Sequence, residues 1–311
     1  MGRLLRGSLI VLLCTGIAHA DPSVALAPQP KGPLHFIAVG DTGSGRNGQV
    51  AVAKAMAQKC KRDGCHFVLL LGDNIYDSGV SSPNDPQFQT KFEQPYADID
   101  APFYVALGNH DYGGRGMGNE FAKPDSEIAY SKLSKKWRLP ARSYHFESGP
   151  AEFFALDTNG VLWGANTDGP AKVGTWLATS TRPWKIAFGH HPYRSNGPHG
   201  NAGMYDRVFA DPLTNGTAVK SYLEKGVCGK ADLYLAGHDH DRQWLTETCN
   251  GTELAVSGAG SSVTQIIGTN PTRYQAETLG FLYVVVDQRK LTAEFIGLDG
   301  KVEFTRTLTK K

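Results

Sequence analysis

Short apolar runs separated by polar, glycine-rich stretches pattern this chain from residue 34 to its end. Ten of them, "LHFIAVG", "FVLLLG", "FYVALG", "YHFES", "EFFALD", "KIAFG", "DLYLAG", "ELAVSG", "FLYVVVD" and "LTAEFIG", have strand length and are rich in β-branched or aromatic residues. Residues 49–62, "QVAVAKAMAQKCKR", instead place alanines, Val52 and Met56 at helical spacing and end in basic residues, as the C-terminus of a helix favours. Weaker helical patterns run through "TKFEQPYADI", "GTWLATS" and "AVKSYLEK". Strands alternate with helices first and crowd together later. The order predicts an α/β chain in which mixed sheets pack as a sandwich flanked by helices, with residues 34–311 forming one domain.

Five of the runs end alike: "FIAVGDTG", "LLLGDN", "VALGNHD", "IAFGHHP" and "YLAGHDH" each stop at glycine followed by Asp, Asn or His. Glycine lets the backbone turn sharply, and the C-terminal ends of strands are where open α/β sheets gather their sites. One such junction is ordinary turn chemistry. Five that all end in metal-capable side chains are hard to assign to turns alone.

The first 20 residues, "MGRLLRGSLIVLLCTGIAHA", have two arginines, a short apolar core and small residues at Ala18 and Ala20, the layout of an export signal cleaved after Ala20. No apolar stretch approaches the ~20 residues of a membrane-spanning helix. A proline-rich lead-in, residues 21–33, follows. Removing Arg3 and Arg6 with the signal lowers the 32 basic residues to 30, equal to the 30 acidic ones, so the basic balance gives no support to nucleic-acid binding. A secreted or periplasmic monomer is expected, with no membrane attachment after cleavage. Four cysteines then remain, an even number that suggests two disulfides in an exported protein. Proximity favours Cys60–Cys65 and Cys228–Cys249 among three pairings.

The candidate metal-binding side chains are Asp41, Asp73, Asn109, His110, His190, His238 and His240, with Tyr76 three places after Asp73. Carboxylates and imidazoles suit iron, zinc or manganese. Two ions need about eight ligand bonds from this set, so at least one carboxylate is expected to bridge. Each member has a plainer reading: Asp41 and Asp73 as helix caps, Tyr76 as a packed aromatic, and "TGSGRNGQ" as a phosphate cradle, though it lacks the G-K-[ST] ending of a P-loop.

Taken in order, GD, GDN, GNHD, a late GH and GHDH resemble the calcineurin-like metallophosphoesterases, and within them the small, mammalian-like tartrate-resistant type of purple acid phosphatase. Most of the superfamily has D-x-H at the first motif. Here Thr42 and Gly43 follow Asp41, and "GDNIY" supplies Tyr76 in place of the histidine. The resemblance spans the chain from about Leu34 onward. It implies a four-layer α/β/β/α sandwich and a ferric site of Asp41, Tyr76 and His240, with Asp73 bridging to a divalent ion (Fe, Zn or Mn) held by Asn109, His190 and His238. It further implies hydrolysis of small phosphate monoesters by metal-bound hydroxide, with His110 and His199 as candidate proton donors to the leaving group. A phosphodiesterase or nucleotidase of the same superfamily is the alternative. A non-catalytic relative would be expected to lose ligand positions, and all seven are present.

His35, His66 and His145 lie in or beside apolar runs and are read as structural, while His191 is open between roles. Tyr193, Arg194 and Asn196 are candidates for the substrate mouth. Two departures from mammalian relatives stand out: the segment "NGVLWGANTDGPAKVG" after "FFALDT" is short and lacks a cysteine, and Pro198 stands where an acidic residue would precede the equivalent of His199.

Overall fold

The computed structural model describes residues 27–310 except 167, 209, 212 and 213. The expected signal (residues 1–20) and residues 21–26 of the lead-in lie outside the described residues.

All ten apolar runs form strands. Parallel strands β1 (Leu34–Val39), β2 (Phe67–Leu71) and β3 (Phe103–Ala106) lie side by side, extended by the two-residue β4 (Trp137–Arg138). The second sheet is built from β5 (Tyr144–Ser148), β6 (Ala151–Leu156), β7 (Trp184–Gly189), β8 (Leu233–Ala236), β9 (Arg242–Leu245), β10 (Glu253–Ser257) and β11 (Thr272–Ala276). The chain then returns to the first sheet as the antiparallel meander β12 (Gly280–Asp287), β13 (Lys290–Gly297) and β14 (Val302–Thr309). The strand orders are β14-β13-β12-β1-β2-β3-β4 and β11-β9-β10-β8-β7-β6-β5. In the second sheet β6, β7, β8 and β10 are mutually parallel. Phe67–Leu71 is buried at every position, as a strand covered on both faces must be.

Aromatic side chains fill the space between the sheets. Phe36 and Phe67 meet Phe153 edge-on at 5.2 and 5.1 Å, and Tyr104 stacks on Phe146 at 3.9 Å. Burying each such side chain contributes about 1.5–3 kcal/mol. Helix α1 (Asn47–Asp63) packs against β12 through a face that includes Val52, Ala53 and Met56, and Lys61 and Arg62 close its last turn. After α2 (Lys123–Tyr130), helices α3 (Thr158–Leu162), α4 (Pro170–Thr179) and α5 (Thr217–Gly226) gather on the second sheet. There Val173, Leu177, Val219 and Leu223 pack with Phe154 and Leu156. The helical pattern over residues 90–99 yields only a short π-helical turn, Gln89–Glu93, because Pro95 can neither donate to a helix nor fit inside one. Disulfides join Cys60 to Cys65 and Cys228 to Cys249, the pairs that proximity favours. Among the described residues no helix is long and apolar enough to cross a membrane.

Candidate metal centre

The two sheets face each other with the C-terminal ends of β1, β2, β3, β7 and β8 at one rim, so their five loops converge. The Gly40 amide donates to the Ser257 carbonyl at 2.7 Å, and the His238 amide to Asp41 Oδ2 at 2.8 Å, tying one sheet's rim to the other's. The glycines before the polar residues are needed for this approach. A Cβ at Gly108 would lie 2.2 Å from Asp73 Oδ1, and one at Gly72, whose φ is +89°, would lie 2.5 Å from His190 Nδ1. Asp41, Asp73 and His238 themselves have φ of +59°, +52° and +72°, backbone that L-residues rarely adopt. Strain of this kind gathers where geometry serves a site.

Oxygen donors dominate one half. The Tyr76 hydroxyl is 3.1 Å from each of Asp41 Oδ1, Asp73 Oδ2 and His240 Nε2. One phenol proton cannot serve three neighbours. Burial, with Asp41 and Asp73 adding their charges, pushes the phenol well above its ordinary pKa of 10, so only a strongly charged cation among these donors would release its proton. His240 turns its other nitrogen, Nδ1, to Ser262 Oγ at 2.7 Å, which fixes the ring with Nε2 facing the donors.

Nitrogen donors dominate the other half. His190 Nδ1 donates to the Leu71 carbonyl at 3.0 Å, leaving Nε2 to face Asn109 Oδ1 at 2.8 Å, His238 Nδ1 at 3.0 Å and Asp73 Oδ2 at 3.3 Å. Asn109 Nδ2 donates to the Gly116 carbonyl at 2.8 Å, which turns the amide oxygen inward. Donor atoms of Asp73, His190 and His238 all lie within 4.8 Å of one another. Lone pairs converging in this way call for a positive charge between them. Burial alone would hold His190 neutral; without a cation between these donors, the Asp73 carboxylate draws a proton onto the imidazole and raises it to about 9. Asp73 faces both halves. The donor chemistry fits a hard ion beside Tyr76 and a borderline one beside the imidazoles.

Three further histidines flank the centre. His110 donates through Nδ1 to the Asp77 carbonyl at 2.7 Å, lies 4.3 Å from the Tyr76 ring and places Nε2 4.0 Å from Asp73 Oδ2. His199 stacks on His238 at 4.0 Å, with Nδ1 2.6 Å from Asp206 Oδ1. His191 is buried 4.6 Å from the His238 ring, its Nδ1 at Thr158 Oγ1.

The other candidates lie elsewhere. Asn196 is buried in hydrogen bonds to Asn270 and Gln275, Tyr193 bonds Glu224 and Arg194 faces Glu247. His35 pairs with Tyr283 and His145 with Glu152, while His66 accepts the His35 amide. Sequence reasoning gave no role to Asp111 or Asp239, although both stand inside the motifs. Asp111 accepts the amides of Asn74, Ile75 and Gly108, locking the loop after β2 to the loop after β3. Asp239 accepts the amides of His199 and Gly200 and holds that loop over the rim. Ser262 and Asp206 carry no sequence signal.

A sandwich of two mixed sheets with acidic, phenolic and imidazole donors at one rim defines a metal-dependent phosphoesterase. Residues 34–242 match the calcineurin-like phosphoesterase family. The chain is 31% identical to human (Homo sapiens) tartrate-resistant acid phosphatase type 5 over 333 residues, covering 93% of this chain and 94% of the relative. Two solved structures share the fold. One is GAP50, the anchor in the inner membrane complex of Plasmodium, with a TM-score of 0.71 at 22% identity over 90% of both chains. The other is a purple acid phosphatase from yellow lupin (Lupinus luteus) seeds, with a TM-score of 0.66 at 19% identity over 91% of this chain and 55% of that one. This chain therefore belongs to the calcineurin-like phosphoesterases, in their tartrate-resistant, purple acid phosphatase branch. The activity that goes with that membership is metal-dependent hydrolysis of phosphate monoesters.

Proposed function

We propose that this protein is an exported, monomeric acid phosphatase with a binuclear Fe(III)–M(II) centre, M being Fe, Zn or Mn. Asp41, Tyr76 and His240 would hold the ferric ion, Asn109, His190 and His238 the divalent one, and Asp73 both. The observation that carries this reading is the Tyr76 hydroxyl, equidistant at 3.1 Å from an atom of Asp41, Asp73 and His240. When bound, such a metal pair supplies an activated water as nucleophile and neutralises phosphate charge.

The chain's own residues do the rest. Ser262 and the Leu71 carbonyl orient the two imidazoles that each would give Nε2. The Asp77 carbonyl accepts a hydrogen bond from Nδ1–H of His110, which leaves Nε2 to move a proton at the leaving oxygen. His199, charge-paired with Asp206, is the second group that can supply that proton. Export is supported by the signal-like first 20 residues and by two disulfides, which persist in oxidising compartments.

Parallel assays of p-nitrophenyl phosphate, its bis-ester and nucleotides at pH 5 and 7 test the reading. Monoester turnover that is faster at pH 5 is expected. A broad preference for the bis-ester would replace it with the phosphodiesterase alternative.

A further inference from the structure

Beside the nitrogen-rich half lies a cleft of about 240 Å³, whose lining includes Asn109 and His238, so it opens directly onto the centre. Its remaining wall is unlike the centre. Met117, Leu162 and Trp163 give part of it an apolar surface, and His191, Tyr205, Asp206 and Thr214 complete it. Met117 is 59% exposed, and Trp163 is half-buried. Two separate loops build this wall and are bonded together. Met117 rides on the glycine loop after β3, where a Cβ at Gly116 would lie 2.7 Å from His110 Nε2 and one at Gly118 would lie 2.4 Å from Asn159 Oδ1. Trp163 directly follows α3, in the shortened segment after β6. Its indole N–H donates to the Met117 carbonyl at 3.1 Å, while Asn159 Nδ2 donates to the Gly118 carbonyl at 2.9 Å. Among its described lining residues there is no lysine or arginine, and the one carboxylate is Asp206.

We propose that Met117, Leu162 and Trp163 form the subsite for the substrate's leaving group and select phosphate monoesters of a flat, uncharged ring. This rests on the phosphatase reading above and names the substrate class of that site. An aromatic leaving group gains a ring partner in Trp163 and removes apolar surface from water. A polyanionic one, such as a nucleoside diphosphate, gains no lysine or arginine from this lining, whose one carboxylate, Asp206, is already paired with His199. The volume falls below the ~300–1,000 Å³ of sites for drug-sized ligands, which suits one ring. Trp163 and Met117 are therefore specificity-determining residues.

The test is calorimetric binding of phenylphosphonate and methylphosphonate, which are not hydrolysed, to the metal-loaded protein. The parent binds the phenyl compound more tightly. Trp163→Ala lowers the phenyl-to-methyl affinity ratio by roughly three- to tenfold, the range that one aromatic pair supplies, and Trp163→Phe restores most of it. Met117→Ala, at an exposed position, lowers the same ratio by a smaller factor and carries the test if Trp163→Ala fails to fold. A ratio unchanged in these variants at matched metal content overturns the inference and leaves the phosphatase reading standing. Failure of both phosphonates to bind the parent overturns both.

Discussion

The Asp206 carboxylate lies 2.6 Å from Nδ1 of His199 and holds that imidazole flat against the ring of His238. Pro198 occupies the place where an acidic neighbour would be expected, and Asp206, seven residues after His199 in a backbone with φ of +52°, supplies the carboxylate instead. Burial, the largest single influence, lowers the pKa of His199, but the hydrogen bond to Asp206 together with the charges of Asp239 and Asp206 leaves it raised above 6.5.

Asp206→Asn removes the hydrogen-bonded carboxylate that does most to raise it, leaving only the charge of Asp239, so His199 loses its proton at lower pH. The alkaline limb of the kcat/KM profile for p-nitrophenyl phosphate is expected to move to lower pH, with both metals retained. An unmoved limb would assign the proton to His110 alone.

Ser262 is exposed, and its hydroxyl reaches His240 Nδ1 at 2.7 Å. Partners of this kind orient a ligand, and their loss typically lowers metal affinity 10- to 100-fold. Ser262→Ala should therefore release iron to a chelator at roughly 10- to 100-fold lower chelator concentration, with the divalent ion little affected. Unchanged iron retention would mean that His240 is held by packing rather than by Ser262.

Glu127 is buried, and neither carboxyl oxygen has a hydrogen-bond partner among the described residues. Burial, with the charges of Asp111 and Asp73, pushes its pKa well above 4.5. A carboxyl whose pKa is raised by folding contributes stability that is full below its unfolded pKa and is lost as pH rises toward the folded value. Glu127→Gln keeps the shape and removes that loss. Denaturant unfolding should show the variant more stable at pH 7, by up to about 3 kcal/mol at ~1.4 kcal/mol per pH unit, with the gap closing toward pH 4.5. A variant less stable than the parent at pH 7 would show that the ionised carboxylate has a partner.

Much of the fold was legible because parallel strands buried on both faces read as unbroken apolar runs, as Phe67–Leu71 does. The strands that escaped notice were β4, β9, β11 and β14. The first has two residues, while Thr272–Ala276 and Val302–Thr309 are sheet-edge strands that alternate polar side chains with half-buried ones. Arg242–Leu245 begins with buried Arg242 and Gln243, which only tertiary partners such as Glu303 and Ser195 make tolerable. The site was legible where a glycine and a donor repeat at strand ends. The structure gathers the donors of Asp41, Asp73, Tyr76, Asn109, His190, His238 and His240 at one rim. What orients them was not legible, since Ser262 and the Leu71 carbonyl act across separations of 22 and 119 residues. Of the residues expected at the mouth, Tyr193 pairs with Glu224, Arg194 with Glu247 and Asn196 with Asn270. The shared fold of GAP50 also shows why side chains at the rim, rather than the sandwich itself, must carry the functional argument.

The most direct test is the visible absorption spectrum of the oxidised protein beside that of Tyr76→Phe, with metal content determined on both. A broad phenolate-to-iron charge-transfer band is expected in the parent and absent from the variant at equal iron content. Two bound metals with no such band in the parent, or a band that survives the substitution, would contradict the assignment of Tyr76 to a ferric site.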